Sequence, residues 1–192
     1  MSLNPKGMDY RLRKWALMAA LLFNRQQRAL RLLDDMIQRW PDDAYARASR
    51  SHLHAQAGRT TAALADARAL VTAHPQRSAG DWFNLAFLLE SAGQLDEAEA
   101  AFRRAVEIDP ELDRAWYGLG LTLIRLGRHD EAVKALERNT KLQPMSPYGW
   151  YQLARVQHDR QQPDEALRII RHLKGFEPKV AAQLERETGL QA

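Results

Sequence analysis

The sequence predicts an all-α fold, a right-handed α-solenoid of five helix-turn-helix repeats closed by a C-terminal capping helix. Three observations carry that expectation. The stretch Ala115 to Pro144 has near copies thirty-four residues upstream, from Trp82, and thirty-four downstream, from Trp150. Ala29, Ala63, Ala98, Ala132 and Ala166 recur at steps of 34, 35, 34 and 34, and Pro41, Pro75, Pro110, Pro144 and Pro178 follow at the same steps. Within each copy the apolar residues keep helical spacing, interrupted once near the middle by a glycine or its substitute.

The chain then divides as follows. Residues 1–9, with Pro5 and Gly7, form a flexible N-terminus; residues 10–178 form one solenoid; residues 179–192 form a capping helix and tail. The repeats span 10–43, 44–78, 79–112, 113–146 and 147–178, and the one extra residue falls in the loop between Pro75 and Trp82. In each repeat the small alanine lets the second helix approach the first. The proline, which lacks an N–H and restricts the residue before it, stops that second helix. Gly58, Gly93 and Gly127 supply the left-handed residue that closes the first helix, with Asn24 in the equivalent place. Gln161 breaks that pattern, although Pro163-Asp164-Glu165 behind it makes a good first turn.

The repeats are unequal. Repeat four is the most regular, with Trp116, Leu119, Gly120, Leu123, Gly127, Ala132, Leu136 and Pro144. Repeats three and five keep Trp82, Leu85, Leu89 and Phe102, and Trp150, Leu153, Ile170 and Leu173. Repeat one has Arg13 where a tryptophan is expected. Repeat two puts Arg47, Arg50 and Ser51 on a helix that should be apolar, which predicts a sideways rotation of that helix or a looser contact with repeat one. After Pro178, Val180, Leu184 and Leu190 offer one narrow apolar stripe and Lys179, Gln183, Arg186 and Glu187 a polar back, as a capping helix requires.

These residues, over roughly residues 10 to 180, resemble the tetratricopeptide repeat (TPR) family, whose pattern is Trp-x-x-Leu-Gly, then an apolar residue, Gly, Ala, a large apolar and Pro. The resemblance implies a protein-interaction scaffold without catalysis.

Composition narrows the alternatives. There are no cysteines, so disulfides, thiolate zinc sites and a cysteine nucleophile are excluded. Residues 1–78 carry 13 basic and 6 acidic side chains and residues 79–192 carry 15 and 18. The basic half favours acidic partners. The run Trp15 to Phe23, behind Lys6, Arg11, Arg13 and Lys14, resembles a signal peptide only superficially: no small-x-small cleavage site precedes Asn24, and nine apolar residues cannot span a bilayer. The expected location is the cytoplasm, with a periplasmic or membrane-associated complex as the alternative.

No set of reactive groups converges. His52 and His54 are two residues apart and face different sides of a helix, whereas a helical metal pair uses a spacing of three or four. His129, His158 and His172 fall on different elements. The pairs Asp96-Glu97, Asp130-Glu131 and Asp164-Glu165 occupy the start of a second helix in each repeat, where the helix dipole accounts for them. No cofactor, metal site or catalytic residue is expected.

Function is therefore sought on the groove that the family resemblance implies, lined by the first helix of each repeat. Its second, fifth, ninth and twelfth positions supply Arg11, Lys14, Met18 and Leu21 in repeat one, Tyr45, Ala48, His52 and Ala55 in repeat two, Phe83, Phe87 and Glu90 in repeat three, Arg114, Tyr117, Leu121 and Ile124 in repeat four, and Tyr148, Tyr151, Arg155 and His158 in repeat five. Asn84 and Arg125 lie beside them. Rings for contact area with guanidinium forks between them suit a protein or peptide ligand that is apolar with some acidic character. The other reading of these rings is that they pack on each other or on a second copy. Some family members hold chaperone C-termini with a clamp of lysine, asparagine and arginine. Asn84 and Arg114 fall on clamp positions, but Ala48, His52 and Gly118 replace other members, so that ligand is not expected. Alternative functions are self-association, supported by the apolar Trp15 to Phe23 helix, and nucleic-acid binding through Arg25, Arg28, Arg31 and Arg39, which lacks any recognisable module.

Overall fold

The computed structural model describes residues 7–192, and every described element is helical. Eleven helices follow in order among the described residues: α1 (Gly7–Leu22), α2 (Gln26–Arg39), α3 (Ala44–Gln56), α4 (Thr60–Ala73), α5 (Ala79–Ser91), α6 (Leu95–Ile108), α7 (Asp113–Arg125), α8 (His129–Leu142), α9 (Pro147–Asp159), α10 (Pro163–Lys174) and α11 (Pro178–Thr188). Residues 7–9, expected in the flexible N-terminus, form the first turn of α1. The rest of that segment lies outside the described residues.

The turns inside the helix pairs explain the glycine pattern. Gly58, Gly93 and Gly127 have φ of 70°, 75° and 73°, a conformation that costs a side chain because Cβ crowds the following carbonyl. Asn24 takes the same conformation at φ 52°. Gln161, which breaks the sequence pattern, does not break the structural one: its φ is 58°.

The chain separates into two compact units, divided within α5 after Leu88. In the first, α1 packs on α2, α2 on α3 and α3 on α4. Leu17, Ala20, Ala29, Leu33, Met36, Ala46 and Leu53 form its buried cluster, with Tyr10, Trp40 and Tyr45 against it. Tyr10 meets Trp40 edge to face, with ring centroids 5.1 Å apart. Burial, followed by a hydrogen bond with Asp43, pushes the Tyr10 hydroxyl pKa up to about 12. Asp43 also caps α3, accepting the Ala46 N–H at 2.9 Å.

The polar residues of the second repeat have polar partners. Arg50 donates from Nε and Nη2 to Asp66 at 2.7 and 2.6 Å, and from Nη1 to Asp34 at 2.7 Å. One guanidinium thus ties α3 to both α2 and α4. Arg47 donates to the Pro41 carbonyl and the Ser51 hydroxyl to the Ala63 carbonyl, each at 2.9 Å. Arg13, in the tryptophan position, pairs with Asp9 and with Asp35 of α2.

The second unit follows the expected pattern. Successive helices from α6 to α11 pack in chain order, and α11 also packs on α9. Leu119, Leu123, Leu136, Leu153, Val156, Ile170, Leu173 and Leu184 are buried. A Cβ on Gly120 would lie 2.7 Å from Leu136 Cγ, so α7 and α8 approach only because that position has no side chain. Asp96 and Glu97, Asp130 and Glu131, and Asp164 and Glu165 sit in the first turns of α6, α8 and α10. Glu131 does more than complement a dipole. Arg128 and Arg103 both donate to it at 2.7 Å, both also pair with Glu99, and the two arginines hold the Glu131 carboxyl below its ordinary pKa.

The signature tryptophans are half-buried, and each indole has a polar role. Trp82 Nε1 donates to the Pro75 carbonyl at 2.8 Å, and Trp116 and Trp150 donate to those of Pro110 and Pro144, each at 2.9 Å.

Candidate functional site

In the first unit α3, α4 and α5 enclose a cleft of about 440 Å³. His52, Phe83, Asn84 and Phe87 line it. The floor comes from Ala48 and Ala55 of α3, Ala67 and Leu70 of α4, and Leu88 of α5. Phe87 stands 56% exposed among these apolar walls. Helical spacing accounts for the set: Phe83, Asn84, Phe87 and Leu88 fall three and four residues apart and so share one face of α5.

The polar groups of the cleft divide into used and open. Asp81 is buried and taken by Arg77, which donates from Nε and Nη2 at 2.7 and 2.6 Å. Ser51 is committed to the Ala63 carbonyl. His52, Gln56 and Asn84 are exposed along its length. The cleft is an apolar trough with amide and imidazole groups at its edge, able to take rings or aliphatic side chains and to hydrogen-bond a peptide backbone. The nearby His54 differs from His52: its Nδ1 is buried without a partner, and burial first, then Arg59, hold its pKa below the ordinary imidazole value.

Tyr45 does not join this cleft. Lys14 Nζ lies 4.4 Å from the centre of its ring, and the ring packs on the N-terminal cluster. The sequence reading also missed Ala67, Leu70 and Gln56. The first two belong to a second helix, outside the positions that the family resemblance implies, but their spacing of three, together with the apolar Val71, was a usable signal.

In the second unit Arg125, Tyr151 and Arg155 have partners within the chain. Arg125 of α7 pairs with Glu90 at 2.5 Å, so its charge is answered within the chain. The Tyr151 hydroxyl of α9 donates to Glu187 of α11 at 2.6 Å, and Arg155 lies 5.7 Å from the Tyr151 ring centre. That hydrogen bond is the first cause of the raised Tyr151 pKa and of the lowered Glu187 pKa. Tyr117, Leu121 and Ile124 are half-buried, Arg114 is exposed, and Tyr148 stands 70% exposed. Gly118, the clamp position without an arginine, faces Phe102, whose ring occupies the space that a Cβ would need.

Among the described residues no group of three or more His, Asp and Glu side chains is placed to hold a metal ion, and no helix is long and apolar enough to cross a membrane.

Paired short helices, left-handed turn residues at a fixed interval and alanines at the helix contacts define a helical-repeat scaffold. The comparisons give its family. Tetratricopeptide repeat models match residues 17–78, 89–151 and 147–172, and the chain belongs to that family. No curated protein matches the sequence. Among solved structures, the MamA protein superposes with a TM-score of 0.82 at 17% identity, over 95% of this chain and 96% of that one. Residues 41 to the end of MamA from Desulfovibrio magneticus RS-1 give 0.78 at 18% identity, over 94% and 97%. YrrB, described as a TPR protein with an unusual peptide-binding site, gives 0.79 at 18% identity, over 88% of each chain. At these identities the likeness is one of fold.

Proposed function

We propose that this protein is a non-catalytic interaction scaffold of five repeats, and that it binds an extended or helical segment of a partner protein in the cleft between α3, α4 and α5. The observation that carries the reading is Phe87. A phenylalanine 56% exposed among the walls of an apolar cleft of about 440 Å³ presents ring surface to an apolar side chain of a partner. The segment would place one or two apolar side chains against Phe83 and Phe87 and offer backbone groups to Asn84 and Gln56. Its acidic residues would meet the basic surface of the N-terminal half, which carries 13 basic against 6 acidic side chains. YrrB's description as a peptide binder supports the same use of the fold.

The test is selection of peptides from a random display library on the wild-type chain and, in parallel, on Phe87→Ala. The reading expects a family of peptides with spaced apolar anchors that the variant fails to enrich. Enrichment of the same peptides by both chains would overturn it.

A further inference from the structure

Helix α1 is apolar on two opposite faces. Leu17 and Ala20 are buried in the core of the first unit. On the other side Met8, Leu12, Trp15, Met18 and Leu22, at intervals of four, three, three and four, form a single stripe along the helix. Each is between 49 and 81% exposed, and Phe23 follows at 69%. A helix hydrophobic on both sides calls for cover on both, and a contiguous apolar patch of this extent marks a docking surface.

The charges around the stripe indicate what covers it. Arg11 lies one turn before Trp15. Arg25, Arg28 and Arg31 surround a shallow depression at the end of the helix where Leu22 and Phe23 project, and Arg25 lies 6.0 Å from the Phe23 ring centre. Arg13 and Arg39 are neutralised by Asp9 and Asp35. Arg11, Arg28 and Arg31 form no ion pair among the described residues. A second copy docked on this face would bring its own unanswered arginines against these.

We propose that α1 docks lying flat on an anionic lipid surface. Trp15 sits at headgroup level, Leu12, Met18, Leu22 and Phe23 reach the acyl boundary, and the guanidinium groups of Arg25, Arg28 and Arg31 pair with lipid phosphates. Neither the stripe nor these arginines line the cleft of α3 to α5, so this inference stands apart from peptide binding.

The experiment is flotation of the full chain with vesicles of phosphatidylcholine alone and of phosphatidylcholine mixed with phosphatidylglycerol. The expected result is binding to the mixed vesicles only, weakened by salt. Trp15→Ser with Leu22→Ser, and separately Arg28→Glu with Arg31→Glu, should each reduce it by about tenfold or more, while Phe87→Ala leaves it unchanged. No binding to the mixed vesicles would overturn the proposal, as would binding that both double variants retain. So would a concentration-dependent dimer that Trp15→Ser abolishes in a chain that ignores vesicles, which would assign the stripe to a second copy.

Discussion

Trp82 reaches the Pro75 carbonyl across seven residues at 2.8 Å, while Trp116 and Trp150 reach the carbonyls of Pro110 and Pro144 across six. The one insertion in the repeat register therefore leaves the closing hydrogen bond intact. The tryptophan acts as a tie between a turn and the helix after it, with its ring only half-buried. Replacing Trp82, Trp116 or Trp150 with phenylalanine keeps most of the ring and removes the donor. Each change should cost about 1 kcal/mol, the net worth of an ordinary hydrogen bond, and the cost at Trp82 should match the other two within error in urea unfolding. A much smaller cost at Trp82 would mean that the longer loop does not hold the bond in solution.

Arg50 carries more of the first unit. It bridges Asp66, which is buried, and Asp34, which is exposed. Arg50→Met leaves the Asp66 carboxylate without its main partner and should destabilise by on the order of 3 kcal/mol, the cost of breaking a buried pair from one side. Adding Asp66→Leu should recover part of the loss. Thermal unfolding followed by circular dichroism reads both, and additive losses in the double variant would contradict the pairing.

Gln161 holds a left-handed backbone at φ 58°, where Gly58, Gly93 and Gly127 stand in the other repeats. Gln161→Gly removes a steric cost of about 1 kcal/mol that the glycine's greater unfolded-state freedom only partly offsets. The unfolding midpoint should rise, and Gln161→Val should lower it. A fall with glycine would show that the Gln161 side chain stabilises the turn by a contact.

His54 has a folded pKa below its unfolded value, because burial and Arg59 disfavour its cation. Asp66 and Asp34 act in the opposite direction and Arg50 in the same one. Above pH 6.5 both states are neutral and the histidine has no effect. As pH falls below about 6.5 the unfolded chain takes up the proton first, so stability is lost toward the folded pKa. The unfolding midpoint should fall between pH 7 and 5.5, and His54→Gln should flatten that fall. An unchanged slope in the variant would assign it elsewhere.

The fold was legible because period, alanine and proline each report one physical requirement and agree. The pairs of helices, the left-handed residues Asn24, Gly58, Gly93 and Gly127 and the acidic first turns of α6, α8 and α10 followed from it, and Gln161 did not. The partners of the second repeat's polar residues were not legible, since Arg50 looks like a failure of an apolar face until Asp66 and Asp34 are seen opposite it. Pairing across 16 residues leaves no trace in local spacing. Of the groove candidates, His52, Phe83, Asn84 and Phe87 share a cleft. Tyr45 packs against Lys14 and the N-terminal cluster, and the internal partners of Arg125 and Tyr151, Glu90 and Glu187, lie 35 and 36 residues away, beyond what local spacing shows.

The central claim is that Phe87 anchors a partner segment in the cleft of α3, α4 and α5. Isothermal titration of a peptide selected on the wild-type chain tests it, measured against wild type and Phe87→Ala. Phe87→Ala should raise the Kd by about thirtyfold or more, some 2 kcal/mol, with helical content unchanged. Equal Kd values for the two chains would contradict it.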